Sequence, residues 1–113
     1  MRAYLPIGML SILCLSSAVR ADGKFTAADV LAWDQSQQDW YFEASVSMAG
    51  VLAVQAQNPA GACINGWYFG AASASERAND QIRDAMRQYS SYYPGTVIVA
   101  VIERECGDLT PSE

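Results

Sequence analysis

The chain has 113 residues, of which 51% are hydrophobic and 17% are charged, and it contains no histidine. This composition excludes catalytic arrangements that depend on an imidazole base, and it excludes metal sites built on histidine. Twelve carboxylates against seven cations give a net charge of −5 with no basic stripe, so we expect no nucleic-acid partner.

The first 21 residues have the pattern of a secretory signal. Arg2 precedes an apolar run over residues 5–15, and a small-residue site ends at Ala21. The run is too short to span a bilayer, so we expect cleavage after Ala21 and no membrane span in the mature protein. Cys14 leaves with this leader. The sequence therefore predicts a periplasmic or secreted protein of residues 22–113.

Cleavage leaves two cysteines, Cys63 and Cys106, in an oxidising compartment. Two thiols on a small exported domain predict one disulfide. The closed loop of roughly 43 residues corresponds to about 4 kcal/mol in the chain-entropy model. Loss of the leader also leaves five cations against twelve carboxylates, a net charge of −7. Such a charge suits a basic protein partner, although it also serves solubility alone.

The first part of the mature chain predicts two helices. Thr26 and Asp29 have the spacing of a capping pair and begin a short helix. A second helix begins near Asp34 and continues to about Gln57. Residues 46–54 are apolar on nearly every face of this helix, and a helix of that kind is expected to be buried.

The next segment interrupts the helical pattern. Residues 58–61, Asn-Pro-Ala-Gly, end the long helix because proline lacks an amide donor and the neighbouring residues favour turns. The aromatic residues 63–70 fit either one turn of helix or an extended linker. An amphipathic helix then begins at residue 73 or 75 and reaches residue 89. Its apolar stripe consists of Ile82, Met86, Tyr89 and Tyr93, and its opposite side carries the pairs Asp80–Arg83 and Asp84–Arg87.

Residues 96–102 are β-branched almost throughout, which is typical of a strand. No second strand-like run exists to pair with them, and a lone strand leaves its backbone unsatisfied, so we predict a buried last helix. Pro94 fits its first turn and Gly107 its C-terminal cap. Together the elements predict an all-α fold, a small single-domain bundle of four or five helices with one disulfide.

Catalysis is not expected. Glu43, in the apolar part of the long helix, is the one carboxylate whose position suggests a raised pKa and an acid or base role. The competing interpretation places it at the helix rim or beside an arginine. Because one carboxylate does not make a catalytic site, we expect no enzymatic activity, no cofactor and no metal.

A frame of residues runs through most of the mature chain. It consists of Phe25-Thr26-x-x-Asp29-Val30-Leu31, a long helix through Gln38 and Tyr41 to Ala49, Cys63, an Ile82/Tyr89 helix followed by Tyr93-Pro94, and an apolar helix ending at Cys106. This frame resembles the Tai/Rap family of immunity proteins, small exported helical proteins that protect bacteria from peptidoglycan amidases delivered by type VI secretion. The resemblance implies a non-catalytic amidase inhibitor that plugs the enzyme cleft with a loop between helices, here residues 58–62.

Contacts with such a partner are expected at two places. One is the inter-helix loop, and the other is the aromatic segment of residues 67–69 with Tyr92 and Tyr93, because tyrosine and tryptophan provide contact area at small entropic cost. The competing interpretation is that a small core needs these rings. The candidate partner-binding residues are Asn58, Pro59, Gly61, Trp67, Tyr68 and Tyr92.

The chain is also similar to the periplasmic HdeA/HdeB acid chaperones in size, helix content and single disulfide. Those proteins place a cysteine at the head of the first helix, where this chain has Thr26-Ala27, so cysteine placement favours the immunity family. The alternative function is acid-stress protection: below about pH 4, carboxylate protonation makes the chain positive and loosens the fold around residues 46–54. Another small envelope interaction protein, and a homodimer through an apolar helix face, remain open alternatives.

Overall fold

The computed structural model describes residues 24–110 as five α-helices. They are α1 (Ala27–Leu31), α2 (Gln35–Gln55), α3 (Ala60–Phe69), α4 (Ala74–Gln88) and α5 (Pro94–Cys106). Every regular element in this part of the chain is a helix, including residues 96–102, so the all-α prediction is confirmed. The predicted leader, with Cys14, lies outside the described residues.

Local sequence explains several helix ends. The Thr26 side chain accepts from the backbone amide of Asp29, and Asp29 Oδ2 accepts from the backbone amide of Thr26 at 2.8 Å, which completes the predicted capping box. Pro94 occupies the first turn of α5. Gly107 caps the end of α5 with a φ of 93°, a conformation that favours glycine. These predictions are confirmed.

The turn between α2 and α3 is shorter than predicted. It comprises only residues 56–59, because Ala60 and Gly61 already belong to α3. The amide of Asn58 donates to the carbonyl of Ala53 at 2.9 Å and that of Gln57 donates to Val54 at 3.0 Å, which satisfies the last carbonyls of α2. The prediction of a loop over residues 58–62 is therefore wrong. The aromatic segment that follows is helical rather than extended.

The core lies where α2, α3, α4 and α5 meet. Its largest fully buried side chains include Phe42, Ile64, Tyr68, Ile82, Met86, Ile98 and Ile102. The stripe predicted on α4 is confirmed at Ile82 and Met86. It fails at Tyr89, which is 51% exposed, because α4 ends at Gln88 and the helical spacing stops there.

The predicted disulfide joins Cys63 and Cys106, with 5.5 Å between their Cα atoms. It connects the first half of α3 to the last residue of α5. Two helices that are distant in the sequence are therefore linked covalently.

Gly61 lets the start of α3 pack directly on the end of α2. A Cβ at this position would lie 2.7 Å from Cγ2 of Val54 and 3.0 Å from its backbone nitrogen. Gly61→Ala is therefore expected to lower the free energy of unfolding by about 1–3 kcal/mol, as overpacking does. The measurement is urea denaturation at neutral pH.

Gly66→Ala is the matched control for this substitution because Gly66 lies on the same helix. A Cβ there meets nothing within 4 Å. Since alanine has the higher helix propensity, Gly66→Ala is expected to stabilise the fold by up to about 1 kcal/mol. Equal urea midpoints for the two variants would contradict the close packing described for Gly61.

Candidate functional site

The C-terminal half of α2 is exposed, contrary to the prediction that residues 46–54 are buried. Val46 and Ala53 do lie in the core, on the same side of α2 as Phe42. The side chains turned away from the core are between 52% and 63% exposed: Met48, Val51, Leu52 and Val54. The prediction is wrong because the other helices pack against only one side of this helix.

A groove of about 620 Å³ lies between this half of α2 and α3. Val51 and Val54 line it from α2, and Ile64 and Phe69 line it from α3. Phe69 is 45% exposed. We call the exposed side chains on and beside the groove the apolar face, and it consists of Met48, Val51, Leu52, Val54 and Phe69.

The chain that forms the apolar face carries no charge. Residues 44–75 contain no aspartate, glutamate, lysine or arginine, although residues 22–113 have seventeen charged side chains. Glu43 is exposed on α2, one helical turn before Ser47, the first residue that lines the groove. It therefore lies at the helix rim, as the simpler interpretation of this carboxylate expected.

The chemistry of the groove favours binding. Its polar lining side chains are Ser47, Gln55 and Asn65, and none of its lining residues is ionisable. Such a surface can bury apolar groups and donate or accept a few neutral hydrogen bonds. It offers no group within its lining that is suited to move a proton at neutral pH.

The predicted contact residues lie in different environments. Pro59 is exposed at the α2–α3 turn, whereas Gly61 and Tyr68 are buried. Tyr68 is only 1% exposed, so its side chain offers almost no surface to a partner in this structure, whereas Gly61 is one of the residues that line the groove. Asn58 is half-buried and orders the turn: its Nδ2 donates to the carbonyl of Asp108 at 3.1 Å and its Oδ1 accepts from the amide of Ala60 at 2.8 Å.

Two other aromatic candidates, Trp67 and Tyr92, do not line the groove. Trp67 is half-buried, and its Nε1 donates to Oε1 of Gln81 on α4 at 3.0 Å. Tyr92 is half-buried and stacks edge-on against Tyr89, with 5.8 Å between ring centroids. The accessible aromatic ring beside the groove is that of Phe69, and the α2 side chains of the apolar face were missed.

Arg83 is buried, although its i to i+3 spacing from Asp80 predicted a solvent-facing position. One terminal nitrogen donates to Oδ1 of Asp39 at 2.9 Å, and the other donates to Oε1 of Gln38 at 3.2 Å. These bonds tie α4 to the first turns of α2. α2 is thus anchored to α4 near its N-terminal end, while the α2 side chains of the apolar face lie on its C-terminal half.

Tyr68 joins the same polar network through Asn79. Its hydroxyl donates to Asn79 Oδ1, and Asn79 Nδ2 donates to Asp39 Oδ1 at 3.3 Å. Burial of the phenol raises the pKa of Tyr68 to about 12. Because the fold favours the neutral phenol, its stabilising contribution is complete below pH 10 and is lost as the pH rises toward about 12.

The expected result is a fall in the urea midpoint between pH 10 and about 12. Tyr68→Phe has no ionisable hydroxyl at this position, so its midpoint should fall less over the same interval. Denaturation curves collected at several pH values for both proteins provide the comparison. An equal decline in the variant and the wild type would show that Tyr68 is not the group responsible.

Among residues 24–110, no cluster of three or more histidine, cysteine, aspartate or glutamate side chains could hold a metal ion. Within the same range, none of the helices combines the length and apolar character needed to cross a bilayer.

Fold and surface together define a small all-α protein with one disulfide and an exposed apolar face. Comparisons with models of known families, with curated proteins and with solved structures find no match. The function must therefore be argued from the apolar face itself.

Proposed function

We propose that this protein is an exported, non-catalytic binding protein, and specifically an immunity-type inhibitor that occludes a peptidoglycan amidase through the apolar face. The observation that carries the proposal is the exposure of five large apolar side chains side by side on α2 and α3. Contiguous exposed apolar surface on a small protein is typical of a protein contact site. The resemblance to the Tai/Rap frame and the predicted leader support the choice of an amidase.

Inhibition by such a surface depends on shape. α2 and α3 pack closely at Gly50 and Gly61, and the disulfide links α3 to α5. A surface on such braced helices loses little conformational entropy when it binds, so more of the contact energy contributes to affinity. The net charge of −7 over residues 22–113 also favours encounter with a basic enzyme surface.

The test is a titration of purified peptidoglycan amidases with the oxidised protein, exported and processed from the full-length chain. Release of cleaved peptidoglycan is measured. Stoichiometric loss of activity for at least one amidase supports the proposal, and failure against every amidase contradicts it.

Two valine variants show whether the apolar face is responsible. Val51→Glu places a charge at the centre of this face and is expected to weaken inhibition by about tenfold or more. Val99→Glu is the matched control, because Val99 is 42% exposed on α5, outside the apolar face. It should inhibit like the wild type. Equal inhibition by both variants would contradict the assigned surface.

A second candidate function is acid-stress chaperoning, and one contact favours it. Asp39 is the nearest carboxylate to the buried Arg83 guanidinium, at 2.9 Å. Asp80 Oδ1 lies 3.7 Å from the same guanidinium. If acid removed the charge of both carboxylates, the buried cation would have no partner charge, which destabilises its surroundings. Release of α2 would then enlarge the exposed apolar surface. Suppression of client aggregation in acid but not at neutral pH would support this candidate, and no suppression in acid would exclude it.

A further inference from the structure

We infer that the apolar face binds an amphipathic helix of a partner protein, with an uncharged apolar stripe and a lysine or arginine at the end beside Glu43. This inference rests on the proposed binding function, although it does not depend on which enzyme is the partner. It follows from the shape of the groove, from the hydrogen bonding available in it and from the distribution of charge around it.

The shape of the groove fits a helix. Its α2 wall extends from Ser47 to Gln55, which is about 12 Å or two helical turns. Both walls are helices, and Gly50 and Gly61 keep the α2–α3 contact close: a Cβ on Gly50 would lie 3.3 Å from Cγ2 of Ile64. A third helix can lie along such a pair and contact it through side chains at i, i+3 or i+4, and i+7.

The hydrogen bonding available in the groove also favours a helix. Both walls are helices, α2 and α3, and they offer no strand edge with which an extended segment could pair. An extended segment buried here would leave its own amides and carbonyls without partners, which is costly. A helix satisfies its backbone internally and needs only apolar side chains toward the groove.

The charge distribution around the groove predicts two features of the bound helix: an uncharged stripe that faces the groove and a cation at one end. No lining residue is charged, so a charged side chain facing the groove would be desolvated without a partner. Glu43 lies one turn beyond the groove and forms no ion pair with another residue of 24–110. A cation on the partner can pair with it at the rim. A second copy of this chain fits poorly, because both copies carry a net charge of −7 over residues 22–113.

The test is selection from a displayed library of helical peptides, long enough for about four turns, with every surface position randomised. Selection uses the oxidised protein, with counter-selection against Val51→Glu. The expected peptides have apolar residues at helical spacing and a lysine or arginine near one end. Their affinity is expected to fall about tenfold or more for Val51→Glu and about threefold or more for Glu43→Lys, but to be unchanged for Val99→Glu.

Several results would overturn the inference. One is the enrichment of acidic peptides or of peptides without helical spacing, and another is peptide binding that does not distinguish Val51→Glu from the wild type. A third is a concentration-dependent dimer in sedimentation that Val51→Glu abolishes, which would make a second copy the occupant. Loss of amidase inhibition in Val51→Glu without any selected helix would leave the proposed function standing and reject only the helical partner.

Discussion

Replacement of Cys63 and Cys106 together by alanine is expected to lower the free energy of unfolding by about 4 kcal/mol. The disulfide closes a sequence separation of 43 residues, and in the chain-entropy model its removal restores that freedom to the unfolded chain. A domain of this size has a total stability of only about 5–15 kcal/mol, so the variant should unfold far more readily. Urea denaturation at neutral pH measures the difference.

The wild-type protein in its reduced form is the control for this pair of substitutions. It lacks the same crosslink but keeps both sulfur atoms, so its urea midpoint should lie close to that of the double variant. A decrease in the free energy of unfolding below about 1 kcal/mol in both proteins would contradict the assigned role of the disulfide. The crosslink would then not restrain the unfolded chain as the chain-entropy model requires.

Replacement of Asp39 by alanine is expected to lower the free energy of unfolding by about 2–3 kcal/mol. The Arg83 side chain is only 10% exposed and would lose the carboxylate at 2.9 Å from its guanidinium. Asp80 Oδ1 lies 3.7 Å from the same guanidinium and would remain, but the Asp80 side chain is 75% exposed, so the buried cation would be poorly compensated. Asp39 itself is 40% exposed, which places the expected loss below that for a fully buried pair.

Two further variants isolate this effect. Asp84→Ala breaks an ion pair with Arg87 whose side chains are 75% and 60% exposed, and its cost should be below about 0.5 kcal/mol. The addition of Arg83→Met to Asp39→Ala should recover part of the loss, because it removes the poorly compensated buried cation. Equal losses for Asp39→Ala and Asp84→Ala would contradict the burial of Arg83.

Features that depend on neighbouring residues were predictable from the sequence. The capping box at Thr26 and Asp29 is a local exchange of hydrogen bonds, and the Gly107 cap follows from the conformational freedom of glycine. The last helix was predicted because residues 96–102 have no second strand-like run to pair with. The disulfide follows from the two cysteines, Cys63 and Cys106, that lie outside the predicted leader.

Features that depend on distant packing were not predictable. Residues 46–54 are apolar on nearly every face, so the pattern does not indicate which side the other helices cover. Arg83 has Asp80 as a local partner, but its nearest carboxylate is on Asp39, which lies 44 residues away in sequence. Neither fact is encoded in the periodicity of a single segment.

The aromatic segment of residues 67–69 is a second case in which the sequence does not predict which side chains are buried. Tyr68 is 1% exposed and Phe69 is 45% exposed, although both were candidates for partner contact. Which ring faces the solvent depends on the rotation of α3 about its axis. The sequence pattern does not predict α3 over its full length, because Pro59 and the glycines of this region are typical of turns. Once a helix is assigned over Ala60–Phe69, adjacent residues must point in different directions.

Hydroxyl-radical footprinting of the protein, alone and bound to an amidase that it inhibits, tests the central claim most directly. Met48 and Phe69 are 60% and 45% exposed in the free protein, and Tyr89, at 51%, lies outside the apolar face and serves as an internal control. Labelling of Met48 and Phe69 is expected to fall about fivefold or more in the complex while Tyr89 stays unchanged. Unchanged labelling at Met48 and Phe69, or protection at Tyr89 instead, would contradict the assignment of the apolar face as the binding surface.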